Sequence, residues 1–148
     1  MLVSALALAA ASLGADPAAA PMSTASPAAV PIHERVAERE QARIPFTSTI
    51  SGFRTERENG EDVVYIEAGI NRWYRGELQC FGINDVRFAH GFAPVDRGFG
   101  VDRFTRVAFF SLGSRHPDEC RLTSLVALTR DEAVELKLAR KPKDDAAR

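Results

Sequence analysis

The feature that most narrows the fold is a change of texture at Ile44. From there to Leu128 the chain is a series of short apolar runs cut by turn residues, the pattern of strands rather than of long helices. Ile44-Pro45-Phe46 opens an extended entry that continues to Phe53, and Asn59-Gly60 is a hairpin signal. The strand expected over Asp62 to Ala68 alternates, with Val64, Ile66 and Ala68 on one face and Val63, Tyr65 and Glu67 on the other. After a turn at Ala68-Gly69-Ile70-Asn71, Arg72 to Leu78 places Tyr74, Gly76 and Leu78 on one side and Trp73, Arg75 and Glu77 opposite. Val86 to Phe88 reads as a short strand, His90 to Gly100 as a loop bearing Gly and Pro, and Phe104 to Leu112 as the most apolar strand. Gly113 to Glu119 turns the chain, and Cys120 to Leu128 is the last strand.

The C-terminal segment has two readings. Val134, Leu136 and Leu138 alternate as in a strand, but Thr129 followed by Glu132 has the form of a capping box. Glu, Ala, Leu and Lys are good helix formers, so a helix from about Asp131 to Arg140 is favoured, with 141–148 as a frayed tail. The expected fold is therefore α+β: a mainly antiparallel sheet of five or six strands, curved toward a small barrel, with short terminal helices.

Upstream of Ile44 little can join a core. Leu2 to Leu13 is an apolar run of about twelve residues, too short for a span of about 20 and right for the h-region of a signal peptide. Ser12-Leu13-Gly14 offers a cleavage site before Ala15, giving a signal over 1–14, and Ala18-Ala19-Ala20 before Pro21 offers a second. No Lys or Arg precedes the run, so either the free amine serves or the start lies upstream. Pro17, Pro21, Pro27 and Pro31 among Ala, Ser and Thr make a disordered spacer. It belongs to a stretch over 15–43 that ends in a short solvated helix, His33 to Arg43, before a single domain over 44–140. Export places the chain in the periplasm or outside the cell, with no transmembrane segment once the signal is removed.

A domain of roughly 90 to 105 residues holds one core and is marginally stable, so a crosslink matters. The only cysteines are Cys80 and Cys120, and in an oxidising compartment a disulfide between them is the natural pairing. Neither has a second cysteine within four residues, which argues against a metal site. The 19 basic and 20 acidic residues leave a formal charge of −1, so no global field draws the chain to nucleic acid.

The stretch from Ile44 to Leu128 resembles a family of small exported proteobacterial proteins known only as a domain of unknown function. The resemblance rests on Arg72-x-Tyr74, Leu78 before Cys80, Gly82-Ile83 with Val86 following, Asp102 before an apolar strand, and Cys120-x-Leu122-x-x-Leu125. Ile44-Pro45-Phe46 and the strand at Asp62 also fit. The chain departs at Phe81, where such proteins often have proline, and in a longer loop before Asp102. The resemblance implies an exported setting and the cysteine pairing, and no activity, cofactor or catalytic residue.

Candidate chemistry is sparse. His33, His90 and His116 show no metal-type spacing, and Ser111 and Ser114 lack a nucleophile-elbow context. Gly98-Phe99-Gly100 leads into a strand, not a helix, and so reads as a flexible turn instead of a phosphate cradle. Trp73, flanked by Arg72 and Arg75, has two readings: it stacks a ligand or anchors a partner, or it sits in a second small cluster under the C-terminal helix or the His90 loop. The expected function is a non-catalytic module that binds a small ligand or an envelope protein without cofactor or metal. The alternative is a small hydrolase using His90 with Asp96 or Asp102.

Overall fold

In the computed structural model, which describes residues 30–82, 85–96, 98 and 100–140, Asn59 and Gly60 turn the chain with φ of 50° and 88°. The turn joins β1 (Ile50–Glu58) to β2 (Glu61–Ala68) in an antiparallel hairpin, as the Asn-Gly pair predicts. A second turn, with Gly69 and Asn71 both at positive φ, leads into β3 (Trp73–Cys80). Then come β4 (Ala89–Pro94), β5 (Arg106–Ser111) and β6 (Asp118–Ala127). The six strands form one sheet in the order β1-β2-β3-β6-β5-β4, and every pairing is antiparallel. The expected signal (1–14), the Ala/Pro-rich stretch as far as residue 29 and the tail at 141–148 lie outside the described residues.

The sheet curls until its ends nearly meet. Phe53 of β1 packs its ring 5.5 Å from that of Phe92 on β4 and 6.1 Å from that of Phe109 on β5. Thr55 Oγ1 donates to the carbonyl of Val86 at 2.9 Å, tying β1 to the short turn that leads into β4. The interior of this nearly closed barrel holds Val64, Ile66, Ala68, Leu78, Val107, Phe109, Cys120, Leu122 and Leu125, so alternation identifies the inward residues of β2 and β3. A bulge sets Thr123 aside between the pairs Leu78–Leu122 and Glu77–Ser124, so that Leu122 and Leu125 both face inward. Gly76 is required here, because a Cβ would stand 2.6 Å from Leu122 Cδ2. Cys80 and Cys120 face each other in register across β3 and β6 and are bonded.

Three expectations are corrected. Val86–Phe88 is a 3-10 turn, not a strand: the Asp85 side chain accepts from Arg87 N–H, and Phe88 N–H bonds back to the Asp85 carbonyl. His90 is on a strand, not at the entrance of a loop. Ala89–Pro94 pairs with the apolar β5, and that pairing overrides the weak propensity of its Gly and Pro; Pro94 sits at the end of the strand. Ile44 makes only an isolated bridge to Val101, a 3-10 turn follows at Thr47–Thr49, and β1 begins at Ile50. At that bridge Gly100 allows a close approach of two backbones, since a Cβ would lie 2.4 Å from the Ile44 carbonyl oxygen.

The helices are α1 (Ile32–Ala37) and α2 (Arg130–Glu135). Thr129 and Glu132 form the expected capping box, and Lys137 at φ 57° ends the turn soon after, so the helix is shorter than Asp131 to Arg140. The α1 segment is not the solvated lead-in its charges suggest. Ile32 and Val36 are buried and pack against Val126 of β6 with Leu128 and Leu136, forming a second apolar cluster outside the barrel. Among the described residues no helix is long and apolar enough to cross a membrane.

Candidate functional site

The outer face of β1, β2, β3 and β6 reads as rungs of paired residues. One rung holds Arg54, Tyr65, Arg75 and Val126, and the rung toward the β1–β2 turn holds Glu56, Val63, Glu77 and Ser124. Val63, Tyr65, Arg75 and Val126 are all buried although they point away from the barrel. Val126 is covered by α1, which runs from the hairpin, where His33 Nε2 and Asn59 Nδ2 are 3.0 Å apart, to Val36 over Val126.

The polar groups around Arg75 are closely matched. Arg75 is 3% exposed, and its guanidinium donates to Glu58 at 2.9 Å and to Glu77 at 2.8 Å. The other Glu58 oxygen accepts from the Tyr65 hydroxyl. Burial disfavours the Arg75 cation, but bonds to Glu77 and Glu58 outweigh it and hold the guanidinium more basic than usual. Burial first, and then the neighbouring Glu58, push the Tyr65 phenol above its ordinary range. Arg75 is therefore committed to internal carboxylates and is not free to meet a ligand.

A similar clasp joins the two helical ends. Arg39 donates to both oxygens of Glu132, at 2.9 and 2.5 Å, and Arg35 pairs with Glu135 at 2.9 Å. Burial raises the Glu132 carboxyl, but Arg39 and the Thr129 backbone N–H more than compensate and hold it below the usual range.

The next rung is different. Gly52, Glu67 and Trp73 stand in register on β1, β2 and β3, and Leu128 N–H bonds to the Trp73 carbonyl. Trp73 is half-buried and belongs to neither apolar cluster. Its indole N–H makes no hydrogen bond with the described residues and is not fully buried. Opposite it, the Glu67 carboxylate has no hydrogen bond or ion pair among the described residues. The Glu67 carboxylate leans over Gly52, its Oε2 3.6 Å from where a Cβ would stand. Arg72, exposed and likewise without an ion pair among the described residues, lies at the rim with its stem near Gly69. Of the three expected residues, Arg72 is exposed, Trp73 is half-buried and Arg75 is withdrawn into ion pairs. Glu67 is the residue that sequence reasoning missed, although counting back across the Gly69–Asn71 turn from Trp73 leads to it.

The groups of the hydrolase alternative are dispersed. His90 is exposed near the start of β4, and Pro94 at its other end is already about 13 Å further along at strand spacing. Asp96 lies beyond that end, where its carboxylate accepts from the Arg106 backbone N–H at 2.8 Å and from the Arg106 guanidinium. These bonds keep the carboxyl below its ordinary range. Asp102 accepts from Phe104 N–H and Thr105 Oγ1 in a local turn. An open depression of about 240 Å³ is lined by Asp96, Asp102 and Arg43, and His90 is not part of it. Among the described residues no group of His, Cys, Asp and Glu could hold a metal ion. No protein-family model matches the chain, and no curated protein or solved structure does so either.

Proposed function

We propose that the protein is exported and acts in the periplasm or outside the cell as a non-catalytic module that binds a small ligand or an envelope component. Its relation to the family of small exported proteobacterial proteins is part of the same reading, supported by the disulfide between Cys80 and Cys120. Binding is assigned to the edge around Trp73 and Arg72. The observation that carries it is the unpartnered indole N–H of Trp73, across the ladder from an unpartnered Glu67, on a sheet face whose next rung is internally paired. A partly exposed Trp with an unused donor offers both an apolar surface and a polar handle. No observation favours a hydrolase built on His90.

A thermal-shift screen on the intact protein tests this. Any ligand found should lose its shift in Trp73→Ala, while the ligand-free variant should lose less than the ~3–5 kcal/mol typical of a fully buried aromatic. A ligand that stabilises wild type and Trp73→Ala equally overturns the assignment. Export is tested separately by intact-mass measurement of periplasmic protein, which should show a new N-terminus near Ala15 or Pro21.

A further inference from the structure

We infer that the ligand taken at this edge is a saccharide, stacked on Trp73 and hydrogen-bonded by Glu67; the inference rests on the Trp73 binding reading above. A pyranose ring presents an apolar C–H face bordered by hydroxyl groups that each donate and accept. The rung supplies the complement of both. Trp73 offers a flat apolar surface and one unpartnered donor, and Glu67 directly across the ladder offers an acceptor-only carboxylate with no internal partner among the described residues. Gly52 keeps the space beside Glu67 free of a side chain. Arg72 at the rim adds donors without a competing ion pair among the described residues.

The charges favour this class over two others. A purely anionic ligand would meet the Glu67 carboxylate on the strand paired with Trp73. A cationic ligand would meet Arg72, and one aromatic ring does not make a cage for an ammonium group. A neutral polyhydroxylated ring uses the carboxylate, the indole N–H and the guanidinium together. One ring as the stacking platform, with a carboxylate across the ladder, suits a single unit of a sugar chain.

Trp73 is the only tryptophan, so its fluorescence reports on the platform directly. The intact protein is titrated with chitohexaose, cellohexaose and maltohexaose at up to millimolar concentration. At least one should shift or quench the emission saturably. Glu67→Gln should weaken that sugar about tenfold, the loss expected for a hydrogen bond to a charged group, with an unchanged melting temperature. Trp73→Ala, followed by calorimetry, should abolish binding. No response to any of the three sugars overturns the saccharide assignment, and so does equal affinity in Glu67→Gln. In either case a non-saccharide ligand whose thermal shift needs Trp73 would leave the broader binding reading standing.

Discussion

Tyr65 and Glu67 are two residues apart on the same face of β2, and each stands opposite a large side chain of β3, Arg75 and Trp73 respectively. Around Tyr65 the polar groups are matched: phenol to Glu58, guanidinium to Glu58 and Glu77, with α1 packed on Val126 of the same rung. One rung further along, neither the Glu67 carboxylate nor the indole N–H has a partner among the described residues. Burying unpaired polar groups is costly, so the covered half must be internally satisfied while the open half can keep its groups for water or a ligand. The difference separates residues that hold the sheet together from residues that remain available.

The largest test of that division is the disulfide. It closes a loop with a sequence separation of 40, for which chain entropy gives about 4 kcal/mol. Reduction, or Cys120→Ser, should therefore lower the melting temperature sharply. Cys80 is at the end of β3 away from Trp73, about 23 Å along the strand. Below the new transition the Trp73 emission should be unchanged on reduction. A spectral shift without unfolding would mean that the two ends of the sheet are coupled.

Next in size is Arg75→Met. It removes the buried partner of the part-exposed Glu58 and Glu77 carboxylates, and losing these charge-assisted bonds should cost about 1.5–3 kcal/mol. Arg72→Met at the exposed rim should stay within about 0.5 kcal/mol of wild type in urea unfolding. Similar losses for the two arginines would erase the distinction between the halves.

The helical clasp gives a pH test. Glu132 has a carboxyl depressed in the folded state relative to the unfolded chain, so its stabilisation is fully present above the unfolded value and is lost as pH falls through the folded one. Asp96, and Asp85, which its pairing with Arg87 lowers to about 2, act in the same direction. Stability should decline progressively below about pH 4.5. Glu132→Gln should flatten part of that decline and cost about 1 kcal/mol at neutral pH, where its charge-assisted bonds from Arg39 and Thr129 are weakened. An unchanged acid limb in the variant would assign the slope to the other carboxylates.

The parts of the fold legible in sequence are those governed by local rules. Asn59-Gly60 marks the first hairpin, alternation sorts the faces of β2 and β3, and Thr129 with Glu132 caps α2. What escapes is decided by distant contacts. His90 belongs to a strand because β5 pairs with it, and Ile32 and Val36 are buried because Val126 on a remote strand receives them. Gly100 looks like a hinge until the Ile44 backbone is placed against it. The site follows the same division. Trp73 and Arg72 stand out by residue type, whereas the commitment of Arg75 depends on Glu58 across the sheet and the availability of Glu67 on its having no such neighbour.

The smallest expected effect is the most diagnostic of the open half. Glu67→Gln keeps the shape and removes the charge. Because Glu67 makes no hydrogen bond or ion pair among the described residues, no partner is stranded, and a half-buried charge beside the indole is relieved. The unfolding free energy should change by no more than about 0.5 kcal/mol, in either direction. Glu58→Gln is the matched control. There the carboxylate accepts from both Tyr65 and Arg75, and weakening those charge-assisted bonds should cost about 1.5–3 kcal/mol. Both variants are measured by urea unfolding under one set of conditions. A loss above about 1 kcal/mol in Glu67→Gln would make Glu67 a structural residue like Glu58. The third rung would then be part of the scaffold, and Trp73 would lose the carboxylate that makes its edge a binding surface.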